Sequence, residues 1–268
     1  MTIINALILG IVQGLTEFLP VSSSGHLNVF PWIFNWTITE SFVVALHLGT
    51  LLAICIFFFK DWISLIKGGF EKVFKKKDSI DGKIFWFLVI ATIPAGILSL
   101  ILDEISEMIV GNNLNLEMAL IAIALIVMGI ILYIADKKSK SEIKYEDITL
   151  KQSILIGISQ AIAAAFPGVS RSGITMTVAR FLKIGRESAA KYSFLLATPI
   201  TAAAVLVDFK HFTLDLPFFV GVLSSFIVGL LIIKFLLDYL RKGSFKIFAI
   251  YRIIFGLIIF GLLFIRMF

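Results

Sequence analysis

Apolar residues in this chain neither alternate with polar ones nor recur at a helical period; they run on. Six nearly charge-free stretches, about residues 41 to 59, 84 to 102, 117 to 135, 188 to 207, 217 to 238 and 247 to 266, each match the roughly 20 residues a helix needs to cross a bilayer core. They predict six full transmembrane spans. Two further apolar stretches, 2 to 30 and 153 to 182, are interrupted by Pro20 and Pro167 and carry Gln13, Glu17, His26, Gln160 and Arg171. Broken backbone and charge persist at membrane depth only where protein or a wet cavity surrounds them. Both stretches are therefore expected to be re-entrant helical hairpins, with two kinked spans as the alternative. The expected fold is an all-α polytopic membrane protein of about ten helices.

Composition agrees. With 59% hydrophobic and only 16% charged residues, and a mean hydropathy of +1.01, a soluble domain is excluded. The single Cys55 lies inside an apolar run, so neither a disulfide framework nor a cysteine metal site is available. A net charge of +6 could suggest nucleic acid, but the lysines cluster in short loops, as topology signals do. Membrane lipid is the expected neighbour, and no nucleic-acid partner is expected. The apolar start has no Lys or Arg before Lys60 and no small-residue cleavage pattern, so it is expected to remain in place rather than act as a signal peptide.

The two interrupted stretches are copies of each other. Gly10 and Gln13 match Gly157 and Gln160, Pro20 matches Pro167, and Glu40-Ser41 matches Glu187-Ser188, all at one offset of 147. After the prolines, Val21-Ser22-Ser23-Ser24-Gly25 parallels Val169-Ser170-Arg171-Ser172-Gly173, with one inserted residue. Three full spans separate the copies, and an odd number of crossings inverts the second. The expected organisation is a single membrane domain, 1–268. Repeat one spans 1–135 with its hairpin at 2–30, and repeat two spans 151–268 with its hairpin at 153–182; a cytoplasmic loop, 136–152, joins them. Charge gives the orientation: segments 60 to 83 and 136 to 152 hold seven and five Lys, whereas 103 to 116 holds acids and no base. The Lys-rich loops belong in the cytoplasm, so the first hairpin and both termini face outward. Inverted repeats with broken helices are a transporter architecture, with the binding site at the repeat interface.

Gln13 and Glu17 stand four apart and share a helix face, where an amide oxygen and a carboxylate can hold a hard cation; a lone buried glutamate bonded to another helix is the plainer reading. Ser22, Ser23 and Ser24 offer hydroxyls and backbone amides at the start of the hairpin's second helix, an arrangement that attracts phosphate and also simply caps helices. Ser23 and His26, three apart, can lie on one face, where the imidazole can assist a serine nucleophile or protonate a leaving oxygen. In the second copy Arg171 stands among Ser170, Ser172 and Thr175, an oxyanion cradle, with an Arg171–Glu17 pair across the repeat interface as the structural alternative. His47 is expected to be a packing histidine and His211 a loop residue. Lys191, Lys234 and Arg252 are expected to snorkel from span ends.

The run Gly10-Ile-Val-Gln-Gly-Leu-Thr-Glu17-Phe-Leu-Pro-Val-Ser-Ser-Ser-Gly-His26 closely resembles the first signature of the bacterial undecaprenyl-diphosphate phosphatase family, linked with bacitracin resistance. Pro167-Gly-Val-Ser-Arg-Ser-Gly-Ile-Thr175 resembles its second signature, and Phe42 to Thr50 and Tyr192 to Pro199 are also family-like. The resemblance covers essentially the whole chain. It implies a multi-pass enzyme of the bacterial cytoplasmic membrane, opening to the extracellular or periplasmic side. Its substrate would be a polyprenyl diphosphate lipid, hydrolysed to undecaprenyl phosphate, the carrier lipid for cell-wall synthesis, with Mg²⁺ or Ca²⁺ required. The family's pair, Glu or Gln and then Glu, falls on Gln13 and Glu17, its proposed nucleophile on Ser23, its histidine on His26 and its phosphate arginine on Arg171. Gln13 departs from members with glutamate there, which shifts the weight to Glu17. A homodimer is compatible with this reading, and an inverted-repeat lipid flippase or transporter is the alternative function.

Overall fold

A computed structural model of the chain describes residues 1–111 and 113–267. Among these residues the fold is all-helical: α1 (Ile3–Phe18), α2 (Ser23–Phe34), α3 (Glu40–Phe57), α4 (Phe59–Phe74), α5 (Ile80–Val110), α6 (Leu114–Lys138), α7 (Leu150–Ala165), α8 (Arg171–Phe181), α9 (Arg186–Asp208), α10 (Leu216–Leu240) and α11 (Lys246–Met267). Helices α3, α5, α6, α9, α10 and α11 are long and apolar enough to cross a membrane, matching the six expected spans. At a rise of about 1.5 Å per residue, the 25 residues of α10 reach about 37 Å, past a hydrocarbon core of about 30 Å. The legs of the two hairpins do not: α1 and α7 have 16 residues each, or about 24 Å, and α2 and α8 are shorter.

Local sequence sets these boundaries. Thr2, Thr39, Asn113, Thr149 and Asp215 each accept a hydrogen bond from a first-turn amide, and Gln152 answers Thr149 in a reciprocal capping box. The spans turn apolar side chains outward: Leu100 is 76% exposed and Leu206 75%, surface that only lipid would cover. One element was not anticipated. The segment 60 to 83, expected to be a loop, contains α4, so the described helices number eleven rather than about ten. Its lysines hid an amphipathic pattern in which Phe59, Ile63, Ile66, Phe70 and Phe74 line an exposed stripe, while Leu65, Gly68 and Gly69 are buried.

The two halves exchange partners. The leading helix of each half packs on the second span of the other, α1 on α10 and α7 on α5, while the third spans, α6 and α11, pack on each other. The sequence match predicts where these helices come closest. A Cβ at Gly10 would lie 2.5 Å from the Gly221 carbonyl oxygen, and one at its counterpart Gly157 would lie 2.5 Å from the Ala91 carbonyl oxygen. Both sites need glycine because two backbones touch there. At the Lys-rich end, buried Asp136 accepts from Arg180 Nε (3.0 Å), Arg186 Nε (2.7 Å) and the Phe245 amide (3.0 Å), tying α6, α8, α9 and the turn before α11 together. Lys191, expected to snorkel, instead meets Asp61 at 2.5 Å and lies over the Tyr145 ring.

Candidate functional site

The hairpins end in tips of one design. Ser22 and Ser170 both have positive φ, 76° and 72°, a backbone region that non-glycine residues seldom enter. Each side chain then accepts the amide three residues on, from Gly25 at 3.2 Å and from Gly173 at 3.0 Å, capping α2 and α8. This strained turn, costing about 1 to 3 kcal/mol at each tip, aims the first turn of both helices at the repeat interface. First-turn amides have no intrahelical acceptor, so two partly positive helix ends converge there. Ser23 and Arg171 hold the same place in the two tips, the first residue of α2 and of α8. One tip thus presents a hydroxyl and the other a guanidinium.

Glu17 joins them. Its Oε2 accepts from Ser23 Oγ at 2.6 Å and from Gln13 Nε2 at 3.1 Å, while its Oε1 receives Arg171 Nη2 in a direct ion pair. Arg171 Nη1 donates to Thr201 Oγ1 at 2.7 Å, so α9 orients the guanidinium from behind. The carboxylate is 7% exposed and the guanidinium 24%, so the pair is sheltered with one side open. The tips also touch through Ser172 Oγ, which donates to the carbonyls of Glu17 (3.0 Å) and Leu19 (3.1 Å).

The remaining candidate residues fall into two groups. The hydroxyls of Ser22, Ser170, Ser172 and Thr175 are spent on the fold: Ser22 and Ser170 cap helices, Ser172 bridges the tips, and Thr175 bonds the Arg171 carbonyl and Ser193. Ser24, half-buried at the tip, lies 3.3 Å from Ser22 Oγ. His26 is buried one turn along α2, its Nδ1 on the Ser22 carbonyl at 2.7 Å, its Nε2 on Tyr251 OH at 2.7 Å and its ring stacked on Phe255. The donation to a carbonyl puts the proton on Nδ1 and leaves Nε2 to accept from tyrosine. Neither nitrogen has a hydrogen bond to Ser23 or Glu17 among the described residues.

Sequence reasoning missed several residues here, including Thr201 and Tyr251, which hold Arg171 and His26. His47, expected only to pack, has Nε2 3.5 Å from Glu17 Oε2, with its Nδ1 on the Val43 carbonyl. Thr50, one turn on, lies 3.5 Å from Gln13 Nε2. The signal was present: His47 and Thr50 are spaced to share the α3 face that meets Gln13 and Glu17, but only the packing of α3 near α1 brings the two faces together. Arg252, expected to snorkel, is fully buried.

For a cation the donor set is small but suitable. Gln13 Oε1 is buried without a hydrogen-bond partner while its Nε2 faces the Glu17 carboxylate, so with the amide turned over Gln13 and Glu17 would present two hard oxygen donors on one helix face. No cluster of three or more His, Cys, Asp or Glu able to hold a metal occurs among the described residues. Such a pair suits an ion that keeps water and shares the oxygens of a bound phosphate.

A profile described as "Bacitracin resistance protein BacA" matches residues 6–258. The chain belongs to this family. It is 46% identical over 261 residues to a protein of Pelotomaculum thermopropionicum named undecaprenyl-diphosphatase, covering 96% of this chain and 95% of that one. A protein of the same name from Moorella thermoacetica is 43% identical over 270 residues, 99% of this chain and 100% of its own. Another of that name, from Methanosphaera stadtmanae, is 38% identical over 271 residues, 96% of each. The chain is a multi-pass membrane protein of the BacA family whose hairpin tips carry Glu17, Ser23 and Arg171.

Proposed function

We propose that this protein is an undecaprenyl-diphosphatase that removes the terminal phosphate of its lipid substrate between the two hairpin tips. The observation that carries this reading is the Glu17 carboxylate, which bonds the Ser23 hydroxyl of one tip and the Arg171 guanidinium of the other. Pure transport has no use for a hydroxyl held at 2.6 Å from a sheltered carboxylate. Glu17 is placed to take the proton as Ser23 Oγ attacks the terminal phosphorus. The phosphoanhydride bond breaks, undecaprenyl phosphate departs, and water then hydrolyses the phosphoserine. Arg171, with the first-turn amides of α2 and α8, spreads the charge of the phosphoryl oxygens. Ser22, Ser170, Ser172 and Thr175 shape the tips that present those donors. His26, bonded through both ring nitrogens to the Ser22 carbonyl and to Tyr251, braces the first turn of α2 that presents Ser23.

Gln13 and Glu17 are the residues that would hold Mg²⁺ or Ca²⁺. The ion would act as a Lewis acid and template on the diphosphate. We assign the protein to the bacterial cytoplasmic membrane with its Lys-rich loops inside and the tip of α1 and α2 reached from outside. The inverted-repeat organisation, 1–135 and 151–268, is supported by the exchanged packing of α1 with α10 and α7 with α5.

The test is to trap the intermediate. Purified protein in detergent, mixed briefly with a prenyl diphosphate and quenched in acid, should carry phosphate on Ser23 by mass spectrometry, and Ser23→Ala should lose at least about 10²-fold in phosphate release while remaining folded. Phosphate found on His26, or a Ser23→Ala variant of ordinary activity, would sink the serine route.

A further inference from the structure

Arg252 has no role in the chemistry above, yet it is among the most deeply buried side chains in the molecule. Among the described residues it has no carboxylate within ion-pair distance. All its partners are backbone carbonyls. Nη1 donates to Pro20 at 3.2 Å, Nη2 to Gly168 at 2.8 Å and Val169 at 2.9 Å, with a longer contact to Ala124, and Nε to Leu125 at 3.3 Å. Pro20 belongs to the first hairpin tip, Gly168 and Val169 to the second, and Ala124 and Leu125 to α6. One guanidinium therefore holds both tips against a full span.

An unpaired cation at membrane depth is costly, and an apolar residue of similar size would avoid that cost. What it supplies is donors. Where a helix is broken at a tip, carbonyls are left without intrahelical amides, and in an apolar interior they need another partner. Arginine alone offers five N–H groups in a rigid fork, enough to reach two separate turns at once. The guanidinium also lies directly under α8: a Cβ on Gly173 would come within 2.6 Å of Nη1. Its neighbour Tyr251 holds His26, so two consecutive residues of α11 support both tips.

We infer that Arg252 is a positioning residue that sets the register between the two hairpin tips, so that Ser23 and Arg171 face one phosphoryl group. This rests on the phosphatase reading for its catalytic consequence but not for its structural one. Arg252→Lys keeps the charge and loses the fork.

The experiment compares Arg252→Lys with the wild-type protein, both purified whole in detergent, by amide hydrogen exchange and by phosphate release from farnesyl diphosphate. Exchange should rise about ten-fold in peptides covering both tips, near residues 19–26 and 167–174, and stay unchanged in α9. The rate constant kcat should fall about 30- to 100-fold with KM within about three-fold, because displaced reacting groups lose rate rather than affinity. Unchanged exchange at the tips, a rise at one tip only, a rise throughout the protein, or a wild-type kcat each overturn the assignment. If Arg252→Lys does not accumulate folded, Gly173→Ala, which crowds the guanidinium from α8, is expected to give the same paired rise in exchange. A wild-type protein that releases no phosphate would overturn the phosphatase reading, while the exchange data still decide whether Arg252 clamps the tips.

Discussion

Replacing Glu17 with glutamine probes the centre of the site while hardly changing its volume. In the native arrangement every hydrogen bond of the carboxylate comes from a donor: Gln13, Ser23 and Arg171. An amide has one donor end, so Glu17→Gln must turn an NH₂ either toward Arg171 or toward Ser23 and Gln13. Each hydrogen bond to a charged group is worth about 1.5 to 3 kcal/mol, and at least one is lost. Breaking a fully buried ion pair costs about 3 to 5 kcal/mol, but Arg171 is 24% exposed and keeps Thr201, so about 1 to 3 kcal/mol is expected in stability. The catalytic loss is larger, because the group that takes the serine proton is gone: about 10² to 10⁴ in kcat, or about 3 to 5 kcal/mol in the barrier. Phosphate release from a prenyl diphosphate at saturating substrate, with thermal unfolding of the same preparations, measures both. A Glu17→Gln enzyme within about five-fold of wild-type kcat refutes the proposed proton transfer, whatever its stability.

Other substitutions test neighbouring parts of the site. Gln13→Glu sets a second carboxylate beside Glu17, so the half-saturating Mg²⁺ or Ca²⁺ concentration should fall about ten-fold and the cation-free protein should melt earlier; an unmoved cation dependence would remove α1 as the cation site. Thr201→Val removes the acceptor behind Arg171 at 2.7 Å and should cost about 1 kcal/mol, seen as a roughly five-fold fall in kcat/KM. Asp136→Asn leaves Arg180, whose side chain is fully buried, without its counter-charge and should lower stability by about 3 kcal/mol, with kcat of the folded fraction unchanged because this cluster lies at the Lys-rich end of α6. Single cysteines at Ser24 and Lys138 in a Cys55→Ser background should label from opposite sides of intact cells; labelling from one side contradicts the orientation.

Much of this was legible before any fold was known, because a bilayer reduces structure to length and polarity. Six runs of apolar residues became six long helices, and the prolines and the single offset of 147 marked both hairpins. Two misreadings have one cause: α4 and Arg252 were judged by charge, and charge does not say what lies beside it. Lysines along α4 suggested a loop until its apolar stripe was seen on one face of a helix. Arg252 lies six residues from the start of its span and could have reached water; the two broken tips beside it decided otherwise. The sequence by itself determined the spans, the repeat and the residue types that can grip a phosphate. Only the tertiary structure decided that Glu17 lies between Ser23 and Arg171, that His47 joins them and that Arg252 holds both tips, because, apart from Glu17–Ser23 within one hairpin, these contacts join helices far apart along the chain, and which faces meet is set by packing.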